Sequence, residues 1–245
     1  MRSIVVLPTY NEVENIDAYF DALRAVSSSI EVVVVDDDSP DGTGDAVQRR
    51  AETDTGIHLM SRTAKEGLGA AYRAGFGAVL RGEYGPADVV VSMDADLSHD
   101  PAVLPAMLAR IEEGADVVVG SRYVEGGGTD NWPIHRRLLS SYGNSYTRLA
   151  LGIGVHDCTS GYRAYRATAL RSIEPQSTAA EGYAFLTELI RRADHAGFAI
   201  VETPILFSDR THGTSKMSAR IIVESMWRVT VWAVGSRWRR FRGRA

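Results

Sequence analysis

The sequence predicts an α/β fold with a mostly parallel central sheet covered by helices on both faces. Three observations predict it. Short β-branched runs alternate with stretches of helical spacing through the first 120 residues. The runs are solidly apolar rather than alternating, as strands buried on both faces are. The polar motifs fall at the C-terminal ends of the runs, where ligands of such sheets sit.

The elements follow in order. Ile4-Val5-Val6-Leu7 is the first strand, and helical spacing runs from Glu14 to Val26. Glu31 to Val35 is the second strand, succeeded by a turn-rich stretch and a helix over Gly44 to Ala51. Ile57 to Met60 is a third strand, weaker by pattern, and Leu68 to Leu80 a helix of small residues. Val89 to Met93 and Val117 to Val119 are further strands, with Ala102 to Ile111 helical between them. Beyond Arg122, Glu125-Gly126-Gly127-Gly128 predicts a mobile loop. Arg136 to Leu151 reads as a helix and Gly161 to Arg166 as a strand. Glu181 to His195 is an amphipathic helix with Phe185, Leu186, Leu189 and Ile190 at core spacing, and Ala199 to Phe207 is the last strand. Without a repeat or a composition break, 245 residues predict one domain.

The net charge of -4 is unevenly placed. Arg237 to Ala245 carry five arginines and no acid, so the rest sums to -9. An acidic body argues against nucleic-acid binding, while a basic end suits an anionic surface. The single cysteine, Cys158, excludes an internal disulfide and reads as a small buried hydrophobe. The N-terminus enters a strand at once, too early for a signal peptide, so the expectation is a protein that stays in the cytosol.

The strongest motif is Asp94-Ala95-Asp96. In an extended segment, residues two apart face the same way, so both carboxylates present hard oxygens to Mg²⁺ or Mn²⁺. Such an ion would bridge two phosphates of a nucleotide-sugar donor. Asp36-Asp37-Asp38 also ends a strand, where an acid commonly accepts hydrogen bonds from a nucleoside. Three adjacent carboxylates repel one another unless a ligand or cation offsets the charge. Ser39-Pro40-Asp41-Gly42 reads as a turn with capping acids. Asn11 and Glu14 have the spacing of a capping box, which leaves Tyr10 and Glu12 to hold a base or ribose. At Lys65-Glu66-Gly67-Leu68-Gly69 the glycines let backbone N–H groups approach an anion, and plain packing at a helix start is the other reading. His99, His135 and His212 do not have a metal-ligand spacing, and His99 reads as a helix-start residue before Pro101.

Taken together, Pro8-Thr9-Tyr10-Asn11-Glu12, Asp36 to Thr43, Asp94-Ala95-Asp96-Leu97-Ser98-His99 and Gly120-Ser121-Arg122-Tyr123 resemble the inverting family 2 glycosyltransferases, and within them the polyprenol (dolichol) phosphate mannose synthases. The resemblance covers the chain to about Ser218. It implies the Rossmann-like GT-A fold, GDP-mannose as donor and a polyprenyl monophosphate as acceptor. By motif, Pro8, Tyr10, Glu12, Val35 and Asp37 would hold the guanosine, and Asp94, Ala95 and Asp96 the ribose, metal and diphosphate; Lys65 joins the donor side. Asp157 to Arg163 and Asp209 to Lys216 also look like family segments, with Arg210 and Lys216 on phosphates from a closing loop. Asp38 stands where the family often has Gly, and Ser98 where some members have a Gln that helps hold the metal. Ser98 is therefore expected beside Asp94 and Asp96.

The second half predicts the acceptor site. Arg122, Arg136 and Arg163 are its candidate phosphate ligands, since guanidinium donors suit that geometry. A phosphate monoester is largely dianionic at neutral pH, with a second pKa of about 6. It attacks the anomeric carbon without a general base. Asp96, Arg122, Asp157 and Arg163 are then the catalytic set, with Asp157 orienting a nearby arginine. Arg220, Glu224 and Arg228 share a helix face. The charge-free run Val229 to Ser236 is far short of the ~20 residues that span a bilayer. Arg237-Trp238-Arg239-Arg240-Phe241-Arg242 suits a membrane-surface anchor, with a core helix and frayed end as the other reading. The expectation is a catalytic domain over 1–218, divided at 120, an anchor over 219–245, and peripheral association with the cytoplasmic face of a membrane, with or without a separate anchoring protein. The alternatives are a polyprenyl-phosphate glucosyltransferase, a polysaccharide glycosyltransferase, a nucleotidyltransferase that makes nucleotide sugars, and a non-catalytic membrane-surface binding module, against which Asp94-x-Asp96 argues.

Overall fold

The computed structural model describes residues 1–208 and 219–242. Seven strands form one sheet in the order β3-β2-β1-β4-β7-β5-β8. They are β1 (Ser3–Thr9), β2 (Glu31–Asp36), β3 (Ile57–Ser61), β4 (Val89–Ser92), β5 (Val117–Ser121), β7 (Arg163–Arg166) and β8 (Ile200–Pro204). β7 runs antiparallel to β4 and β5, and every other pairing in this sheet is parallel. β6 (Gly128–Thr129) and β9 (Leu206–Phe207) form a second, two-stranded sheet.

Alternate side chains of each strand enter opposite cores. Val5, Leu7, Val32, Val34, Val89 and Val91 pack against α1 (Val13–Val26), α2 (Thr43–Thr53) and α4 (Leu104–Glu112). Ile4, Val6, Val33, Val35 and Val90 face α3 (Leu68–Arg81) and α7 (Gly182–His195). Phe185, Leu186, Leu189 and Ile190 are buried on α7, as their spacing predicts. Gly75 of α3 lets that helix close on the sheet, since a Cβ there would meet Val6 and lie 2.9 Å from Val35 Cγ2. Strand order reverses at β1 and β4, and a crevice opens beyond their carboxyl ends.

Several expectations are corrected. Asn11 does not cap α1: it takes φ 57°, and Glu12 is the N-cap residue, without a side-chain cap bond. Asp41 serves instead, accepting from Val13 N (3.1 Å), Thr43 N (3.0 Å) and Thr43 Oγ1 (2.6 Å). His99 does not start a helix, because the Asp100 carboxylate accepts from Ala102 N. The loop expected at 125–128 is a turn over 125–126 whose end enters β6. Gly127 folds against Ser121, whose carbonyl oxygen would lie 2.5 Å from an added Cβ, and Gly128 enters β6. The last predicted strand splits at Ile205, and its two parts join different sheets.

The α6 helix (Ala167–Ser172) follows β7, and α5 (Ile134–Leu151) packs beside α8 (Ala219–Arg242). Tyr146 and Thr230 join the two through a 2.7 Å hydroxyl bond, and α8 also contacts α7. Val229 and Ala233 are buried, whereas Trp227, Val231 and Val234 are exposed, so α8 has one face on the protein and one face out. No helix of the described residues is long and apolar enough to cross a membrane.

Candidate active site

Two cavities meet at the carboxyl ends of β1 and β4. The larger, about 440 Å³, is lined by Pro8, Tyr10, Glu12, Asp37, Lys65, Asp94, Ala95 and Asp96 among others. The smaller, about 150 Å³, is lined by Arg122, Trp132, Arg136, Ser140, Asn144 and His99 among others. Asp94, Gly161 and Ser225 line both.

The larger cavity holds most of the predicted donor residues. Lys65 Nζ lies 3.7 Å from the centroid of the Tyr10 ring, a cation–π contact at the cavity wall. The repulsion expected among Asp36, Asp37 and Asp38 is relieved within the protein. Asp36 accepts from Thr9 Oγ1 (2.9 Å), Ser39 N (3.0 Å) and Ser39 Oγ (2.6 Å). Asp37 pairs with Arg62 at 2.6 Å, and burial still leaves its carboxyl above the ordinary range. Asp38 points out and takes φ 56°, a conformation glycine favours. Val35 departs from expectation. Its side chain is wholly buried on the α3 face of the sheet and does not line the cavity.

Asp94 and Asp96 line the same cavity, but not as neighbours on a flat strand. β4 ends at Ser92, and the chain turns through Leu97 at φ 60°. Asp94 is about one-third exposed, whereas Asp96 is 3% exposed. Asp96 Oδ1 accepts from Ser98 N (3.1 Å) and Ser98 Oγ (2.5 Å). Ser98 therefore stands behind Asp96 as its brace, 1% exposed and outside the cavity lining. His99 holds the turn from the other side, its Nδ1 accepting from Asp94 N at 3.1 Å. Burial lowers the pKa of His99 against the pull of Asp94 and Asp96.

Hard carboxylate oxygens on a cavity wall fit Mg²⁺ or Mn²⁺. Among the described residues no group of three or more His, Cys, Asp and Glu forms a ready metal cage. Two carboxylates completed by phosphate oxygens and water is nevertheless the coordination Mg²⁺ commonly takes.

In the smaller cavity Arg122 is fixed by Asp157. Nε donates to Oδ2 at 2.7 Å and NH2 to Oδ1 at 2.7 Å, while the Arg122 backbone N–H adds a third bond at 3.1 Å. Asp157 is fully buried. Burial alone would raise its pKa, but the Arg122 charge and hydrogen bonds hold it below the ordinary carboxylate range. Glu202 of β8 supports this loop, accepting from Asp157 N (3.0 Å) and His156 N (2.9 Å). The Arg136 guanidinium lies 4.0 Å from the Trp132 ring centroid. Arg122 and Arg136 thus share one cavity.

Arg163 does not join them. It is 0% exposed, donates to Leu186 O (2.5 Å), Cys158 O (2.7 Å) and Tyr165 Oη (3.3 Å), and lines neither cavity. Its place in β7 turns it toward α7, so it ties the core rather than holding an acceptor. Cys158 is buried as expected, and burial pushes its thiol up to about 12. Arg210 and Lys216 lie outside the described residues. Sequence reasoning missed Arg62 and Glu202. Arg62 had one signal, its i, i+4 spacing from Glu66, with which it also pairs.

Comparisons with known proteins give the family of the chain. The chain is 45% identical over 243 residues to the polyprenol monophosphomannose synthase of Mycolicibacterium smegmatis, covering 99% of this chain and 91% of that protein. It is 45% identical over 244 residues to the undecaprenyl-phosphate mannosyltransferase of Micrococcus luteus, covering 100% and 99%. A mannosyltransferase from Pyrobaculum calidifontis, solved with GDP-Man and Mn²⁺, superposes with a TM-score of 0.59 at 19% identity, over 97% of this chain and 64% of that one. That likeness shows the GT-A fold. The family model described as glycosyl transferase family 2 matches residues 4–174, and the chain belongs to that family.

Proposed function

We propose that this chain transfers mannose from GDP-mannose to a polyprenyl monophosphate, with inversion, giving polyprenyl phosphate β-mannose. One observation carries the reading: an acid-lined cavity and an arginine-lined cavity open onto each other at Asp94 and Gly161. The names of the two relatives at 45% identity support mannose and a lipid phosphate. The ligands of the Pyrobaculum structure support GDP-mannose and a divalent ion.

In this reading Pro8, Tyr10, Glu12, Asp37 and Lys65 seat the nucleoside, and Asp94 and Asp96 hold Mg²⁺ or Mn²⁺. When bound, that ion offsets charge on the departing nucleoside diphosphate. Arg122 and Arg136 seat the acceptor phosphate, and Asp157 keeps Arg122 aligned. The dianionic phosphate is its own nucleophile, so catalysis is alignment and charge stabilisation. Attack from the smaller cavity, opposite the diphosphate, gives inversion.

The lipid acceptor requires a membrane face, and α5 supports one. Its buried residues are Asn144 and Thr147, both polar, whereas Ile134, Leu138, Tyr142 and Leu149 are more than 60% exposed. Ile134, Leu138 and Tyr142 recur every fourth residue, on one side of the helix. Trp227, Val231 and Val234 make a similar stripe on α8. These stripes rest on the cytoplasmic leaflet, with residues 1–218 as the catalytic unit.

The test incubates the protein with labelled GDP-mannose, Mn²⁺ and a polyprenyl phosphate, then extracts the lipid. Label enters the lipid phase with the wild type and falls by on the order of 100-fold or more in Asp96→Asn. Label that enters lipid only from UDP-glucose overturns the reading.

A further inference from the structure

We propose that His99 is a further ligand of the acceptor phosphate, its Nε2–H donating to an oxygen of the group that Arg122 and Arg136 seat. The inference rests on the smaller cavity being the acceptor-phosphate seat. The ring is 2% exposed and forms part of that cavity's wall. Its Nδ1 accepts the Asp94 backbone N–H at 3.1 Å. A nitrogen that accepts carries its lone pair there, so the neutral ring bears its hydrogen on Nε2. A hydrogen on Nδ1 would meet the amide hydrogen head-on.

The ring cannot turn this donor elsewhere. It stacks on Tyr162 with centroids 5.1 Å apart and planes at 28°, and meets Phe207 edge-on at 5.4 Å and 79°. Tyr162 is itself held, its hydroxyl donating to Asp100 O at 3.1 Å. The Asp94 carboxylate lies beside Nδ1, with Oδ2 at 3.8 Å, so it does not take the Nε2 hydrogen. Among the described residues nothing else accepts from Nε2. A donor locked in the wall of a cavity with two guanidinium groups finds its acceptor in an anion.

Two variants separate this role from the bracing of Asp94. Asparagine mimics the Nδ1 side of histidine, so His99→Asn keeps an acceptor for Asp94 N–H and loses the Nε2 donor. Glutamine reaches the Nε2 position, so His99→Gln keeps the donor and loses the brace. The expected result for His99→Asn is a fall in acceptor kcat/KM of roughly 10- to 100-fold, the range for a hydrogen bond to a charged group. Its GDP-mannose affinity, measured by calorimetry with Mn²⁺, stays within about threefold, and His99→Gln recovers part of the acceptor kcat/KM. In the wild type labelled with ¹⁵N-histidine, adding farnesyl phosphate shifts the Nε2 resonance. An unmoved Nε2 resonance overturns the inference, as does a His99→Asn enzyme with wild-type acceptor kinetics or an equal loss of donor affinity. Should the wild type transfer no mannose, the proposed reaction fails, while the Nε2 resonance still decides the role of His99.

Discussion

The junction between the cavities gives the sharpest prediction, because a single methyl group can be placed in it. A Cβ added at Gly161 would lie 3.4 Å from His99 Cε1 and 3.6 and 3.7 Å from the Asp94 carboxylate oxygens. These are ordinary contact distances, so Gly161→Ala folds without displacing a neighbour. The stability change is then small, within about 1 kcal/mol, and the loss of chain freedom in the unfolded state favours the variant. In the proposed reaction the acceptor oxygen and the anomeric carbon come within about 3–3.5 Å at this junction, beside the same methyl. Misplacement of the reacting atoms by about 1 Å costs on the order of 100-fold in rate. Gly161→Ala is therefore expected to lose at least about 100-fold in kcat for mannosyl transfer, with donor KM within about threefold and little change in Tm. Lipid-extraction kinetics and thermal melting measure both. A kcat within about threefold of wild type would refute the placement of the chemistry at this junction.

Other consequences follow from burial and charge. Asp157→Asn leaves the Arg122 guanidinium without its buried counter-charge and lowers the unfolding free energy near neutral pH by about 3–5 kcal/mol, measurable by urea titration. Because the folded pKa of Asp157 is depressed, its contribution is present above the unfolded value of about 3.9 and is lost as pH falls through the folded one. The gap between wild type and Asp157→Asn thus narrows below about pH 4. Gly75→Ala drives a methyl into Val6 and Val35 and destabilises by about 1–2 kcal/mol net of the helix propensity gained. Calorimetric melting reports this loss, and an unchanged Tm would contradict the close approach of α3. Leu138→Glu with Trp227→Glu, both exposed, lowers partitioning onto anionic vesicles by on the order of 100-fold in a flotation assay. Transfer to a short, water-soluble acceptor is unchanged.

What the sequence disclosed follows from what is local. Val32 to Val35 and Val89 to Val91 are legible as strands because burial on both faces leaves no polar position in them. The motifs that line the larger cavity are legible because each sits within a few residues of a strand end. Facing and direction are not local. Arg163 looks like a phosphate ligand beside Thr159 and Ser160, yet β7 lies between two strands and aims it at Leu186, 23 residues away. Glu202, placed by pattern in the last strand, reaches its partner Asp157 only through the pairing of β8 with β5. His99 resembles a helix start because Pro101 follows it, and its bond returns to Asp94, on a turn that Leu97 makes at positive φ. α6 is six residues long, too short for a periodicity to register.

The reversed strand explains how the two halves of the site meet. β4 ends near Asp94 and β5 near Arg122, and both run toward the same edge of the sheet. β7 lies between them and runs the other way. The segment that enters β7, Asp157 to Gly161, therefore arrives at that same edge. A parallel strand in this place would deliver it to the opposite edge, far from Arg122 and Asp94. The antiparallel insertion thus sets Asp157 against Arg122 and Gly161 against Asp94 in one pass of the chain. It also holds β4 and β5 two strand spacings apart, about 10 Å. Gly161, which carries no side chain, lies where the two cavities meet.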